Sequence, residues 1–306
     1  MWVQTTQNHP ISSASALSRP IEGIYKAPPL HWVGDGFRVA GYFSSIPDAL
    51  RKLDPFLLLD YHPAHTYSPT DRPRGVGVHP HRGFETVTIA FQGSVAHHDS
   101  TGAGGVIGPG DVQWMTAASG ILHKEYHEAG WAAQGGPFQM AQLWVNLPKA
   151  HKMDPPQYQP IVANQMGVVS LPENAGEIRV IAGETFGVKG PAKTHTPISL
   201  LDVRLHAKGH LALPFPSSYN VGMLVMQGEA RLGETHTIVQ HDFVVFEHSD
   251  DPIRIEAASD TQLLMLAGEP IREPVVSYGP FVMNTEREIQ QAFADFRSGK
   301  FGHLED

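Results

Sequence analysis

Residues 79–93 read HPHRGFETVTIAFQG, and the second half of this stretch alternates. Val87, Ile89 and Phe91 fall on one side of an extended chain, while Thr86, Thr88 and Ala90 fall on the other. That period predicts a half-buried strand. The first half carries chemistry. If residues 79–91 form one strand, His79, His81 and Glu85 share the inward face of Val87, Ile89 and Phe91. Two imidazoles at i and i+2 stand about 7 Å apart at the backbone, close enough for both rings to converge on one cation. Glu85 lies about 13 Å along an extended strand from His81. It therefore supports such a site from outside the ligand set, unless a bend at Gly83 brings it near.

The same reasoning applied to SGILHKEYHE (119–128) puts His123, Glu125 and His127 on one face, which makes His123 and Glu125 a second pair. The intervening GGVIGPGDVQW (104–114) supplies turns and a strand, enough to return the second pair opposite the first. Several polar groups buried together each need a partner, and one shared cation satisfies them all. Other candidates are weaker. His97 and His98 are adjacent, point to opposite faces and are expected at the solvent. His62 and His65 sit in a Pro-rich segment read as a loop, at the surface or at an entrance. GAGGVIG (102–108) lacks the spacing of a phosphate-binding loop and is followed by Pro-Gly-Asp instead of a helix, so it reads as a turn. Phe84, Trp114 and Met115 read as core, or as the walls of an apolar pocket.

The rest of the chain is cut into short segments by 30 Gly and 25 Pro in 306 residues, a length of about two domains. Further strands are expected at 111–116, 139–147, 177–183, 199–205, 222–228, 242–247, 251–257 and 261–268, so the fold class is all-β. One helix is predicted near the end, in NTEREIQQAFADFRSGKFG (284–302). Thr285 is its N-cap, Glu288 stands three residues on, and Ile289, Ala292, Phe293 and Phe296 form one stripe to pack on a sheet. A faint repeat relates FQGSVAHHDS to MQGEARLGET and GPGDVQWM to VQHDFVVF, at offsets of about 135 and 131 residues, as two copies of one β unit would. The Pro-rich stretch 147–160 is the expected exposed linker. The resulting division is a loose N-terminal extension (1–20), a first domain (21–155) and a second (156–306).

The net charge is −9 and the Lys and Arg residues are scattered, which argues against direct binding to nucleic acid. No cysteine is present, so any metal is held by nitrogen and oxygen. The sequence lacks the pattern of a signal peptide and any run of about 18 apolar residues, so no membrane association is expected. A cytoplasmic monomer is the expectation.

Through LDPFLLLDYH (53–62), HPHRGFETVT (79–88), PGDVQWMTAASGILHKE (109–125), QLWVNLP (142–148) and YGPFVMNTEREIQQAFADF (278–296), the chain resembles the pirin family of the cupin superfamily. The resemblance implies two tandem cupin β-barrels (a bicupin) and one metal in the first, most expectedly Fe(II), with manganese, nickel, copper or zinc as alternatives. It further implies His79, His81, His123 and Glu125 as metal ligands, with Glu125 also serving as a catalytic base and Glu85 outside the ligand set. The activity implied is that of a quercetin 2,3-dioxygenase, using O2 on a flavonol-like aromatic substrate. The alternative is a redox-responsive metal-binding regulator that acts on a protein partner, a transcription factor or a metabolic enzyme, without turnover. The repeat offsets map His79, His81, His123 and Glu125 onto Pro214, Pro216, Arg254 and Glu256, so the second half is expected to be metal-free.

Overall fold

The computed structural model describes residues 17–306. The expected loose extension falls outside these residues, except for 17–20, which are anchored. Arg19 is buried, its Nε donating to Glu247 O at 2.7 Å and Nη2 to Tyr219 O at 2.9 Å.

Each half builds one seven-stranded and one four-stranded antiparallel sheet. The first large sheet runs Gln157–Ile161, Val112–Thr116, Phe84–Gln92, Gly136–Asn146, Phe56–Tyr67, Phe37–Gly41 and His31–Val33. The second runs Ile21–Tyr25, Phe243–Phe246, Asn220–Gln227, Thr261–Gly268, Ile198–Leu205, Gly176–Ala182 and Gly167–Ser170. The small sheets are Gly75–His81, Ile121–His127, Val95–Asp99 and Gly104–Ile107 in one half, and His210–Leu213, Ile253–Ala257, Glu229–Leu232 and His236–Val239 in the other. Matched position by position, the two orders are the same, so the repeat glimpsed in the sequence is a duplication of the whole unit. The edge strand of each large sheet is lent by the opposite half of the chain: Ile21–Tyr25 pairs with Phe243–Phe246, and Gln157–Ile161 with Val112–Thr116.

The two large sheets pack back to back. Val87, Ile89, Val112, Trp114, Leu143 and Val145 interdigitate with Leu224, Met226, Phe243, Val245, Leu264 and Leu266 in one apolar cluster. This corrects the parity expected for residues 79–91, which are not one strand. The first strand ends at His81, the next begins at Phe84, and between them Gly83 takes φ +90° where a Cβ would collide with Val282 O. Val87 and Ile89 therefore face the other half, while Thr88 and Ala90 face the interior of their own. The strand is buried on both faces instead of one, because it lies in the middle of four layers.

The stretch expected as an exposed linker is also part of the body. Residues Lys149–His151 form a single turn, Lys152 is 1% exposed, and Gln157–Ile161 is a strand. Lys152 Nζ donates to Gly83 O at 2.7 Å, Asn146 Oδ1 at 2.7 Å and Val282 O at 3.1 Å.

The C-terminal helix Glu286–Arg297 starts as expected, with Thr285 Oγ1 accepting from the Glu288 amide and the Glu288 carboxylate accepting from the Asn284 amide. It packs on the hairpin Val276–Tyr278 and Phe281–Met283, and through it on the first half. Asp295 ties it down, accepting from buried Arg82 at 2.9 Å, Lys300 at 2.7 Å and Gln291 at 2.8 Å. Hydrogen bonds from Lys300, Arg82 and Gln291 hold this carboxyl well below its usual range. Such stabilisation is present above the unfolded carboxylate pKa and is lost as pH falls through the folded one. Asp295→Asn is therefore expected to lower the melting temperature at pH 7 and to approach the wild type below about pH 4. Melting curves across that range check it. A gap that stays constant with pH removes the Asp295 charge as its source.

Candidate metal centre

Between the large and small sheets of the first half, the two histidine segments meet as the sequence suggests. His123 is the direct cross-strand partner of His79, and Ile121 of His81. The ring centroids of His79 and His123 lie 4.2 Å apart, those of His79 and His81 4.8 Å, and those of His81 and His123 4.8 Å. The ring nitrogens of all three fall within 4.8 Å of one another. Past His123 the register shifts by a β-bulge, so that Glu125 faces Val76 on one side and His97 on the other. Its carboxylate groups within 4.8 Å with the ring nitrogens of His123 and His97. His127, on the same face of the strand, lies among Phe37, Tyr67, Trp131 and Phe138, away from the cluster. Burial lowers its pKa to about 4.

Backbone carbonyls orient two of the rings. His79 Nδ1 lies 2.8 Å from Gly77 O and His81 Nδ1 3.4 Å from Pro280 O, contacts that need the proton on Nδ1 and leave each Nε2 with a free lone pair. Pro280 belongs to the C-terminal hairpin, a contribution invisible in the local sequence. His123 is fully buried, and its Nε2 has no hydrogen-bond partner among the described residues. Burial and the neighbouring imidazoles hold His81 and His123 well below the ordinary histidine pKa. Neutral rings with unpaired nitrogens are what a cation requires, and the orphaned His123 Nε2 fits one.

The expectation that His97 faces solvent is corrected: it is fully buried, stacked on Tyr158 at 5.1 Å, whereas His98 is exposed. The small sheet covers the cavity, so the inward side of every one of its strands is interior. Gln113 Nε2 donates to His97 Nδ1 and to Glu125 Oε1, both at 3.1 Å, and His97 Nε2 faces Asp99 Oδ2 at 3.4 Å. Thr88 Oγ1 donates to Glu125 Oε1 at 3.1 Å, and Gln142 Nε2 to Glu125 Oε2 at 2.8 Å. Sequence reasoning missed Gln113, Thr88 and Gln142. Their signal is polar side chains at strand positions that alternation places in a core.

Glu85 is turned out of the cluster by the bend at Gly83 and accepts from Thr116 Oγ1 at 2.7 Å. His62 lies in the strand Phe56–Tyr67, not a loop, and is buried against Tyr67 Oη at 2.9 Å, while His65 is exposed. A cavity of about 360 Å3 opens beside His79, His81 and Glu125, walled by Leu58, Val76, Met140 and Trp144.

The register also corrects the mapping onto the second half. Pairing of Ile253 with Leu213 and Ile255 with Leu211 places Leu211, Leu213, Ile255 and Ala257 where the first half has His79, His81, His123 and Glu125. All four are buried aliphatics with no donor atom, and Glu256 instead faces outward, paired with Arg231.

A family model described as Pirin matches residues 36–145, and one described as Pirin C-terminal cupin domain matches residues 200–302. A Pseudomonas aeruginosa protein provisionally named quercetin 2,3-dioxygenase is 51% identical over 92% of this chain and 98% of its own. Human pirin is 38% identical over 83% of this chain and 84% of its own. A crystal structure described as quercetin 2,3-dioxygenase from Acinetobacter baumannii superimposes with a TM-score of 0.89 at 43% identity, covering 94% of this chain and 100% of that one. Duplicated sheets, the histidine cluster in the first half, and these matches lead to one conclusion: the chain belongs to the pirin family, with N- and C-terminal cupin domains.

Proposed function

We propose that the protein is a metal-dependent dioxygenase acting on flavonol-type substrates, with His79, His81, His123 and Glu125 holding iron. The observation that carries this reading is a cluster of three imidazoles, linked through His123 to the Glu125 carboxylate, beside an apolar cavity of about 360 Å3. When bound, the ion supplies a Lewis acid and a site of oxygen chemistry beside the substrate.

The chain's own residues do the rest. Three neutral donors and one carboxylate leave a net positive charge on a divalent ion, which attracts an anionic phenolic oxygen. Glu125 Oε1 and Oε2 receive hydrogen bonds from Thr88, Gln113 and Gln142, which fix the carboxylate facing the cavity as acceptor for the substrate hydroxyl proton. Leu58, Val76, Met140 and Trp144 shed water and take the planar rings. The relatives named for quercetin 2,3-dioxygenase support the substrate class.

The test is anaerobic loading with Fe(II), then addition of quercetin and oxygen. Oxygen uptake coupled to loss of flavonol absorbance is expected, and His81→Ala is expected to abolish both. Absence of uptake with any first-row divalent ion across a panel of phenols overturns the enzymatic reading.

A further inference from the structure

A second group of donors stands at the seam of the two halves. His151 and Asp154 lie just beyond the strand Gly136–Asn146, and His195 lies in the segment entering Ile198–Leu205. Their ligand atoms fall within 4.8 Å of one another. His151 Nδ1 is 2.7 Å from Asp154 Oδ2, and the His151 and His195 ring centroids are 5.0 Å apart. Behind His195, at 3.2 Å from its Nδ1, sits Glu85 Oε1. Glu85 is 1% exposed, and its Oε2 has no hydrogen-bond partner among the described residues.

We propose that His151, Asp154 and His195 form a second metal site, for a divalent transition ion such as Zn2+, with Glu85 as the residue that positions His195. Two imidazoles and one carboxylate suit borderline first-row ions far better than Mg2+ or Ca2+, which prefer all-oxygen sets. A His195 Nδ1–H donated to Glu85 leaves the Nε2 lone pair for the ion, the carboxylate–histidine–metal arrangement that fixes ring and tautomer together. A cation held by these three groups brings a compensating charge near the buried Glu85 carboxylate, whose Oε2 otherwise lacks a partner among the described residues. His151, Asp154 and His195 are all partly exposed, so an ion can enter directly from solvent. Bound there, it cross-links the end of the first half to the second.

This site is independent of the proposed dioxygenase centre, and the experiment separates them. Untagged full-length protein, stripped with a chelator, is titrated with Zn2+ and with Co2+, then measured by elemental analysis and by Co2+ visible absorption. Two equivalents are expected in the wild type, one in His151→Ala/His195→Ala, and one in His81→Ala/His123→Ala. Glu85→Gln is expected to weaken the second equivalent about ten- to hundredfold. Asp154→Asn provides a variant that alters a partly exposed group only, should the double alanine variant misfold. The proposal fails if His151→Ala/His195→Ala and Asp154→Asn bind the same number of ions as the wild type with unchanged affinity. A single equivalent lost only in His81→Ala/His123→Ala refutes this site and leaves the other standing. A single equivalent lost only in His151→Ala/His195→Ala does the reverse.

Discussion

Replacing His123 by alanine is expected to abolish metal retention at the proposed centre and flavonol-dependent oxygen uptake with it, while leaving the chain folded. His123 is the one residue shared by the His79–His81 cluster and the His97–Glu125 cluster, so its ring joins the two. Loss of a residue that merely orients a ligand typically costs 10–100-fold in metal affinity, and loss of this bridging ring is expected to cost at least about a hundredfold. Stability should respond much less. The ring gives up packing against its neighbours, but the substitution also deletes a buried Nε2 that has no partner, and the two effects offset to about 1–2 kcal/mol. Metal content and apoprotein melting, measured side by side, check both halves of this expectation. Retention of one ion at wild-type affinity in the first half would remove His123 from the ligand set.

Lys152→Met is expected to produce the larger change in stability. The ammonium is buried, and burial lowers its pKa to about 8, so it still carries its proton at neutral pH. Its three N–H donors go to Gly83 O, Asn146 Oδ1 and Val282 O, one from the bend before Phe84, one from the end of the strand Gly136–Asn146, and one from the C-terminal hairpin. Methionine fills the volume and satisfies none of them. Leaving such acceptors unpaired costs about 3 kcal/mol or more, a drop of about 6 °C in melting temperature for a chain this size. Because the same hairpin supplies Pro280 O to His81, metal affinity should fall in parallel. Denaturant titration with and without metal tests both. An unchanged midpoint would mean that the three carbonyl groups find water instead.

The strands that alternate or are densely apolar were legible one by one: the segments read at 177–183, 199–205 and 261–268 appear as Gly176–Ala182, Ile198–Leu205 and Thr261–Gly268. Phe56–Tyr67 was missed because a proline and two histidines near its end imitate a loop. The helix cap was legible because Thr285 and Glu288 act within one turn, over a distance that the sequence sets directly. Burial was the least legible property. Phe84–Gln92 looks half-buried because its Thr-bearing face is polar, and only the packing of two sheets against each other makes both faces interior.

The sequence alone determined the all-β class, the duplication, and the juxtaposition of His79 and His81 with His123, because each follows from side-chain type and its spacing along the chain. The tertiary structure alone decided where those groups point. A left-handed glycine at 83 reverses the parity after His81, a bulge after His123 re-aims Glu125, and the cross-strand register of the second half replaces the expected Pro214, Pro216, Arg254 and Glu256 with four aliphatics. Each is a shift by an odd number of residues in a period-two pattern, which exchanges inside for outside while leaving the composition unchanged. His97, Gln113, Gln142 and Pro280 were joined to the site in the same way, by contacts that form only once the sheets close over a common interior.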